Sequence, residues 1–135
     1  DIQALAAVHA SAWRETYEPL SSDPNFYSPT AALRKQQWTE AFKDVSGSWF
    51  CYVVETGNSD LIGFAKAKTY NSDELPQFTS ELNKLYLLKN YHKQGIGKNL
   101  IARVVQTLIA RRHNSMVAFT EPRNPVGKYF ESSNG

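Results

Sequence analysis

With 135 residues and a formal net charge of +2, the chain has room for one hydrophobic core and too little positive charge to point to nucleic acid. Its 41% hydrophobic and 13% aromatic content excludes a disordered chain. The single cysteine, Cys51, excludes an internal disulfide and a cysteine-based metal cluster, and its apolar flanks make it a buried strand thiol in a reducing, cytoplasmic setting. His9, His92 and His113 are too far apart for a local metal motif, so no metal is assigned. No apolar run approaches the roughly 18 residues of a membrane helix, and no signal-like segment opens the chain, so no membrane partner is expected.

Ile2, Leu5, Val8, His9, Ala12, Trp13 and Thr16 recur at three- and four-residue intervals and predict a first helix ending before Pro19. Residues 20–29 read as a loop, and a second helix is predicted from Thr30 through Leu33, Gln37, Trp38, Ala41 and Phe42 to about Ser46-Gly47. The period then changes. Trp49 to Glu55 and Leu61 to Lys68 flank the turn Thr56-Gly57-Asn58-Ser59-Asp60 and predict a hairpin. Residues 69–80 form a polar loop, Glu81 to Leu88 a third strand, and Ile96, Leu100, Ile101, Val104, Val105, Leu108 and Ile109 a long amphipathic helix. Met116 to Thr120 reads as a short buried strand and Val126 to Glu131 as a short helix. The strand, helix and strand over 81–120 make one β-α-β crossover, which requires parallel strands, so the fold class is α/β with a mixed sheet in a single domain over 1–135. Both ends read as cut, the chain opening at Asp1 already in a helical pattern.

Between the third strand and the long helix lies Tyr91-His92-Lys93-Gln94-Gly95-Ile96-Gly97-Lys98. A helix that starts directly after a strand points its first unpaired N–H groups and the positive end of its dipole one way, where anions bind. Gly95 and Gly97 let a phosphate approach the backbone, and Lys93 and Lys98 add charge; the alternative is a turn that merely packs helix on sheet. A P-loop is excluded because Gly97-Lys98 is followed by Asn99, and a dinucleotide fingerprint because Leu100 stands at its third position.

The run Leu85 to Leu100 resembles motif A of the GNAT superfamily of acetyl-CoA-dependent N-acetyltransferases, [RQ]-x-x-G-x-[GA] after a Leu-Tyr-Val strand end, with His92 at the Arg or Gln position as a departure. Asn124-Pro125-Val126-Gly127-Lys128-Tyr129-Phe130-Glu131 is similar to the segment after the family's next strand, and His9 to Tyr17 to its first helix. The resemblance covers nearly the whole chain and implies a GNAT-like sheet whose parallel strands splay to form a coenzyme A cleft. The family's first strand would precede Asp1 and its last two would follow Gly135.

The resemblance further implies that the backbone of Leu85, Tyr86, Leu87 and Leu88 pairs with the pantetheine arm, while His92, Lys93, Gln94, Gly95, Ile96, Gly97 and Lys98 hold the pyrophosphate and Asn124 contacts the coenzyme. Main-chain N–H near Leu87 would stabilise the oxyanion as a primary amine of a small molecule or peptide attacks the thioester. Glu81 is the candidate base, with a solvated strand-end carboxylate as the alternative and Glu121 as second choice. The family's acid is a tyrosine where this chain has Phe130, so either Tyr129 serves, binding the coenzyme as well, or water does. Trp13, Tyr17, Trp38 and Tyr70 are candidates to line an acceptor pocket, aromatics at helical spacing serving a core otherwise, and Asp73, Glu74 and Glu81 would suit a cationic amine. The rival expectation is a catalytically weak CoA-binding domain, and unpaired sheet edges suggest a homodimer.

Overall fold

Local capping starts both opening helices. Asp1 accepts the N–H of Gln3 at 2.9 Å ahead of α1 (Ile2–Tyr17), and Thr30 accepts that of Leu33 at 3.1 Å ahead of α2 (Ala31–Phe42). The computed structural model describes residues 1–120 and 124–130. Pro19 closes α1 within a 3-10 turn over Glu18–Leu20. α2 stops at Phe42, short of the expected Ser46-Gly47, because Asp44 takes the Ser46 N–H and the Ser48 hydroxyl and so draws the chain out of the helix.

The sheet runs β1 (Trp49–Glu55), β2 (Leu61–Thr69), β3 (Ser80–Leu87), β4 (Ser115–Thr120) and β5 (Asn124–Tyr129), in that spatial order. Only β3 and β4 are parallel, joined by α3 (Ile96–Ala110); the other neighbours are antiparallel. Alternation along β2 assigns its faces. Ala65 and Ala67 meet Leu100, Val104 and Leu108 of α3, while Phe64 turns to Leu5, Val8 and Trp38 of α1 and α2. No helix among the described residues is long and apolar enough to cross a membrane.

One element differs in kind from the expectation: Val126 to Tyr129 is part of the strand β5 rather than a helix. Its backbone pairs along the whole outer edge of β4, from Thr120 opposite Asn124 to Ser115 opposite Tyr129, and the Phe130 N–H continues to the Asn114 carbonyl at 2.8 Å. A short segment with Pro125 and Gly127 has little helix propensity to set against a row of edge N–H and C=O groups. Gly127 also lies against the Phe78 ring, where a Cβ would come within 1.9 Å. Glu131, the expected helix end, lies outside the described residues.

Phe64 is fully buried and its ring meets His9, Trp38 and Tyr86. Phe64→Ala should cost about 3–5 kcal/mol in urea-unfolding measurements with the far-UV spectrum retained; a loss below about 1 kcal/mol would contradict this packing.

Candidate active site

The serine-rich starts of β3 and β4 hold the two strands together. Ser80 Oγ donates to the Ser115 carbonyl at 2.5 Å, Ser115 Oγ receives the Thr79 N–H at 3.2 Å, and Glu81 pairs with Val117. Past that point the ladder is not continued among the described residues, and the two strands border a cavity of about 890 Å³. Residues 81–87 form one wall and Ala118, Phe119 and Thr120 the other, with α1 above and the turn before α3 at one end.

Strand alternation decides what β3 offers the cavity. The Leu88 N–H donates to Ile62 of β2 at 2.9 Å, so the N–H groups of Leu87 and Leu85 face the opposite, open edge. The turn beyond is braced on three sides. His92 donates its Nε2–H to the Leu87 carbonyl at 2.7 Å, Glu15 of α1 accepts the Lys89 N–H at 2.6 Å, and Gln94 donates to the Asn90 carbonyl at 3.2 Å. Lys93 (φ +63°) and Gly95 (φ +79°) are both left-handed, which turns successive N–H groups toward one side. Gly95 caps α3 without a side chain, and a Cβ at Gly95 or Gly97 would meet nothing within 4 Å. Among the described residues, therefore, no capping partner meets the N–H groups of Ile96, Gly97 and Lys98, and neither glycine places a side chain over them. Such a concave set of amides fits a diphosphate.

Most of the expected site residues gather here. Glu81, Leu85, Tyr86, Leu87, His92, Lys93, Gly95, Gly97 and Lys98 line the cavity, as do Trp13 and Tyr17 of α1. Leu88 instead packs on the α1 and α2 core, Ile96 borders a separate hollow beside β1, and Gln94 braces the turn. Tyr70 reaches the wall indirectly, its ring 5.9 Å from that of Phe119, and Trp38 is core. Tyr129 is not among the lining residues: it pairs with Ser115 at the closed end of β4 and stacks on Phe78. The extended path of β5 carries it there. Glu121 and the side chain of Asn124 lie outside the described residues.

Among the lining residues that escaped the sequence reading are His9, Arg34, Asn83 and Lys84. His9 accepts the Trp38 indole N–H on Nδ1 at 3.0 Å, so its neutral ring carries its proton on Nε2. Burial, then the cations Arg34, Lys84 and Lys66, push its pKa down to about 3. Glu81, 8% exposed, accepts from Asn83 Nδ2 at 3.0 Å, and Asn83 Oδ1 accepts from Lys84 Nζ at 2.9 Å. A signal for Lys84 was present: a lysine between Asn83 and Leu85 in a strand otherwise apolar at its end. Among the described residues no group of three His, Cys, Asp or Glu could hold a metal.

His9 makes stability depend on acidity. The unfolded ring titrates near 6.5 and the folded one near 3, so the unfolded chain takes up the proton first as pH falls. This contribution is complete above about pH 6.5 and is lost toward pH 3, by up to about 1.4 kcal/mol per pH unit. In urea melts between pH 7 and 4.5, His9→Gln should take up about one proton fewer on unfolding than the parent chain; identical pH slopes would refute the assignment.

The comparisons agree with this geometry. Residues 5–134 match the acetyltransferase (GNAT) family. The uncharacterized N-acetyltransferase YuaI of Bacillus subtilis (strain 168) is 26% identical over 133 residues, 98% of this chain and 73% of that protein. Among solved structures, the PaiA N-acetyltransferase of Thermoplasma acidophilum in complex with coenzyme A superposes with a TM-score of 0.63 at 20% identity, over 89% of this chain and 73% of that one. Ribosomal-protein-alanine N-acetyltransferase from Brucella melitensis gives 0.61 at 23%, over 87% and 67%. At these identities the two structures speak for the fold, and the match over 5–134 carries the assignment: the chain belongs to the GNAT family of acetyltransferases, acyltransferases whose co-substrate is acetyl-CoA.

Proposed function

We propose that the protein transfers the acetyl group of acetyl-CoA to a primary amine of a small molecule or peptide by direct attack. The observation that carries this reading is one continuous cavity, running from the uncovered amides of α3 along the open edge of β3 to Glu81 and Trp13.

The amides of Ile96, Gly97 and Lys98 hold the diphosphate, with Lys93 and Lys98 as neutralising charges at the rim. Outward-facing N–H and C=O groups at Leu85 and the N–H at Leu87 receive an extended amide-bearing arm as an added strand. His92 fixes the end of that edge by occupying the Leu87 carbonyl, so the Leu87 N–H is held in one orientation at the mouth. Fixed N–H dipoles in such a site stabilise the charge that develops on a carbonyl oxygen. Bound acetyl-CoA supplies the activated acetyl group.

Glu81 is the base. It lines the cavity, nearly buried, with Asn83 orienting one carboxylate oxygen and leaving capacity to take a proton from the incoming ammonium. With Tyr129 away from the cavity, the departing sulfur, ordinarily titrating near about 8.5, leaves as thiolate and is protonated by water.

Gly97→Val tests the amide cradle, because a Cβ there meets nothing within 4 Å among the described residues, so the fold should accept a side chain that crowds the α3 amides. Its calorimetric Kd for acetyl-CoA should rise at least about tenfold with unchanged thermal stability; unchanged affinity would refute the cradle. Glu81→Gln should lower kcat by about 10²–10⁴ with little change in that Kd. CoA binding with no release of free thiol on any amine would reassign the chain as a binding module.

A further inference from the structure

The acceptor half of the cavity carries more positive charge than its own carboxylates offset. Arg34 of α2 lines it with its guanidinium 5.7 Å from the centre of the Trp13 ring. Nη1 donates to Gln37 at 2.9 Å, but Nε is buried with no partner among the described residues. Lys84 enters from β3. Directly across the sheet it faces Lys66, whose Nζ lies over Trp38 and Trp49 at 5.5 and 4.9 Å. Among the described residues no carboxylate lies within ion-pair distance of Arg34, Lys66 or Lys84.

The nearby acids do not make up the difference. Glu81 is bonded to Asn83, Glu15 is committed to the Lys89 N–H, and Asp44 is fully exposed and held by Ser46 and Ser48. His9 is neutral and contributes no charge. Partial burial, then Lys66, Arg34 and Lys68, lower the Lys84 pKa to about 8, while Glu81 raises it only as the smallest influence. Burial likewise lowers Arg34. A partly dry cluster of like charges with an orphaned guanidinium N–H is costly, and an anion placed between Arg34 and Lys84 relieves both the repulsion and the missing hydrogen bond.

We propose that the acceptor of the acetyl group is an amine that also bears an anionic group, a carboxylate or a phosphate, which Arg34 and Lys84 bind while the amine is presented to Glu81. This rests on the acetyl-transfer reading and narrows it: the cationic amine that Asp73, Glu74 and Glu81 would suit carries an anionic group as well. Trp13, stacked on Phe26 with ring centres 5.7 Å apart, lines the same cavity and gives the body of that molecule an apolar neighbour. The coenzyme's own phosphates have a separate place, the α3 amides with Lys93 and Lys98, so the two cation sets serve different partners.

The test compares amino acids and aminoalkyl phosphates with their neutral amides and alcohols as acceptors, at saturating acetyl-CoA. The parent chain should favour the anionic member of each pair at least about tenfold in kcat/KM, and Arg34→Gln and Lys84→Met should reduce that ratio to within about threefold of one by raising KM rather than lowering kcat. Preference for the neutral member, or a ratio that both variants preserve, overturns the proposal. A second readout needs no turnover: protein saturated with CoA is titrated with inorganic phosphate and with glutarate. Saturable binding that Arg34→Gln weakens at least about tenfold supports the anion site. No saturable binding of either anion, or variants whose only change is a raised Kd for CoA, overturns it by assigning these cations to the coenzyme or to none. If acetyl-CoA itself fails to bind, the acetyl-transfer reading falls, and a glutarate titration of the unliganded protein beside its Arg34→Gln variant still judges the cation pair.

Discussion

The architecture of the site depends on how β3 and β4 are joined. Ser80, Thr79 and Ser115 tie the strand starts together through side-chain hydrogen bonds, while past Glu81 and Val117 the ladder is not continued. Parallel strands linked by a helix finish on the same side of the sheet, and the crossover helix must begin where the first of them ends. An open edge of β3, the uncovered amides of α3 and the far strand β4 are thereby brought to one mouth. Closure of the ladder along its whole length would bury the N–H groups of Leu85 and Leu87 and leave nowhere for an extended ligand to pair.

The two ends of the cavity attract negative charge by different means. At the α3 end the attraction comes from backbone dipoles, set by the left-handed residues Lys93 and Gly95 and by the lack of a side chain at Gly97. At the other end it comes from the side chains of Arg34 and Lys84, partly withdrawn from water. Between them His9 stays neutral, because its ring is buried, flanked by those cations and committed to Trp38. A charged imidazole there would worsen the repulsion, so the histidine serves as a polar joint between α1 and α2. In the proposed reaction this separation lets the coenzyme and the acceptor occupy the same groove without competing for one set of cations.

Much of this was legible in the residues themselves. The periodicity of α3 and the hairpin turn at Thr56 to Asp60 act over a few residues, where helix or strand geometry alone decides which side chains share a face. The turn from His92 to Lys98 was legible for the same reason, and Trp13, Tyr17 and Glu81 do border the cavity it opens on. Arg34 was invisible because nothing within α2 distinguishes it from the exposed Lys35 beside it; its place depends on α2 crossing α1. Lys66 and Lys84 stand in successive strands, and only the register of β2 on β3 makes them neighbours. The place of Tyr129 was not legible either, because the choice between helix and strand for its segment was made by the edge of β4.

By itself the sequence determined the order and period of the elements through β4, the parallel crossover, and a glycine turn ahead of α3, since each follows from dihedral freedom and side-chain spacing along a short stretch. Tertiary structure alone decided where charge accumulates, that His9 is kept neutral, and which aromatic side chains meet the cavity rather than the core. Those properties depend on distances between residues far apart in the chain and on how much water remains around them, and burial and Coulomb interaction have no counterpart in local pattern.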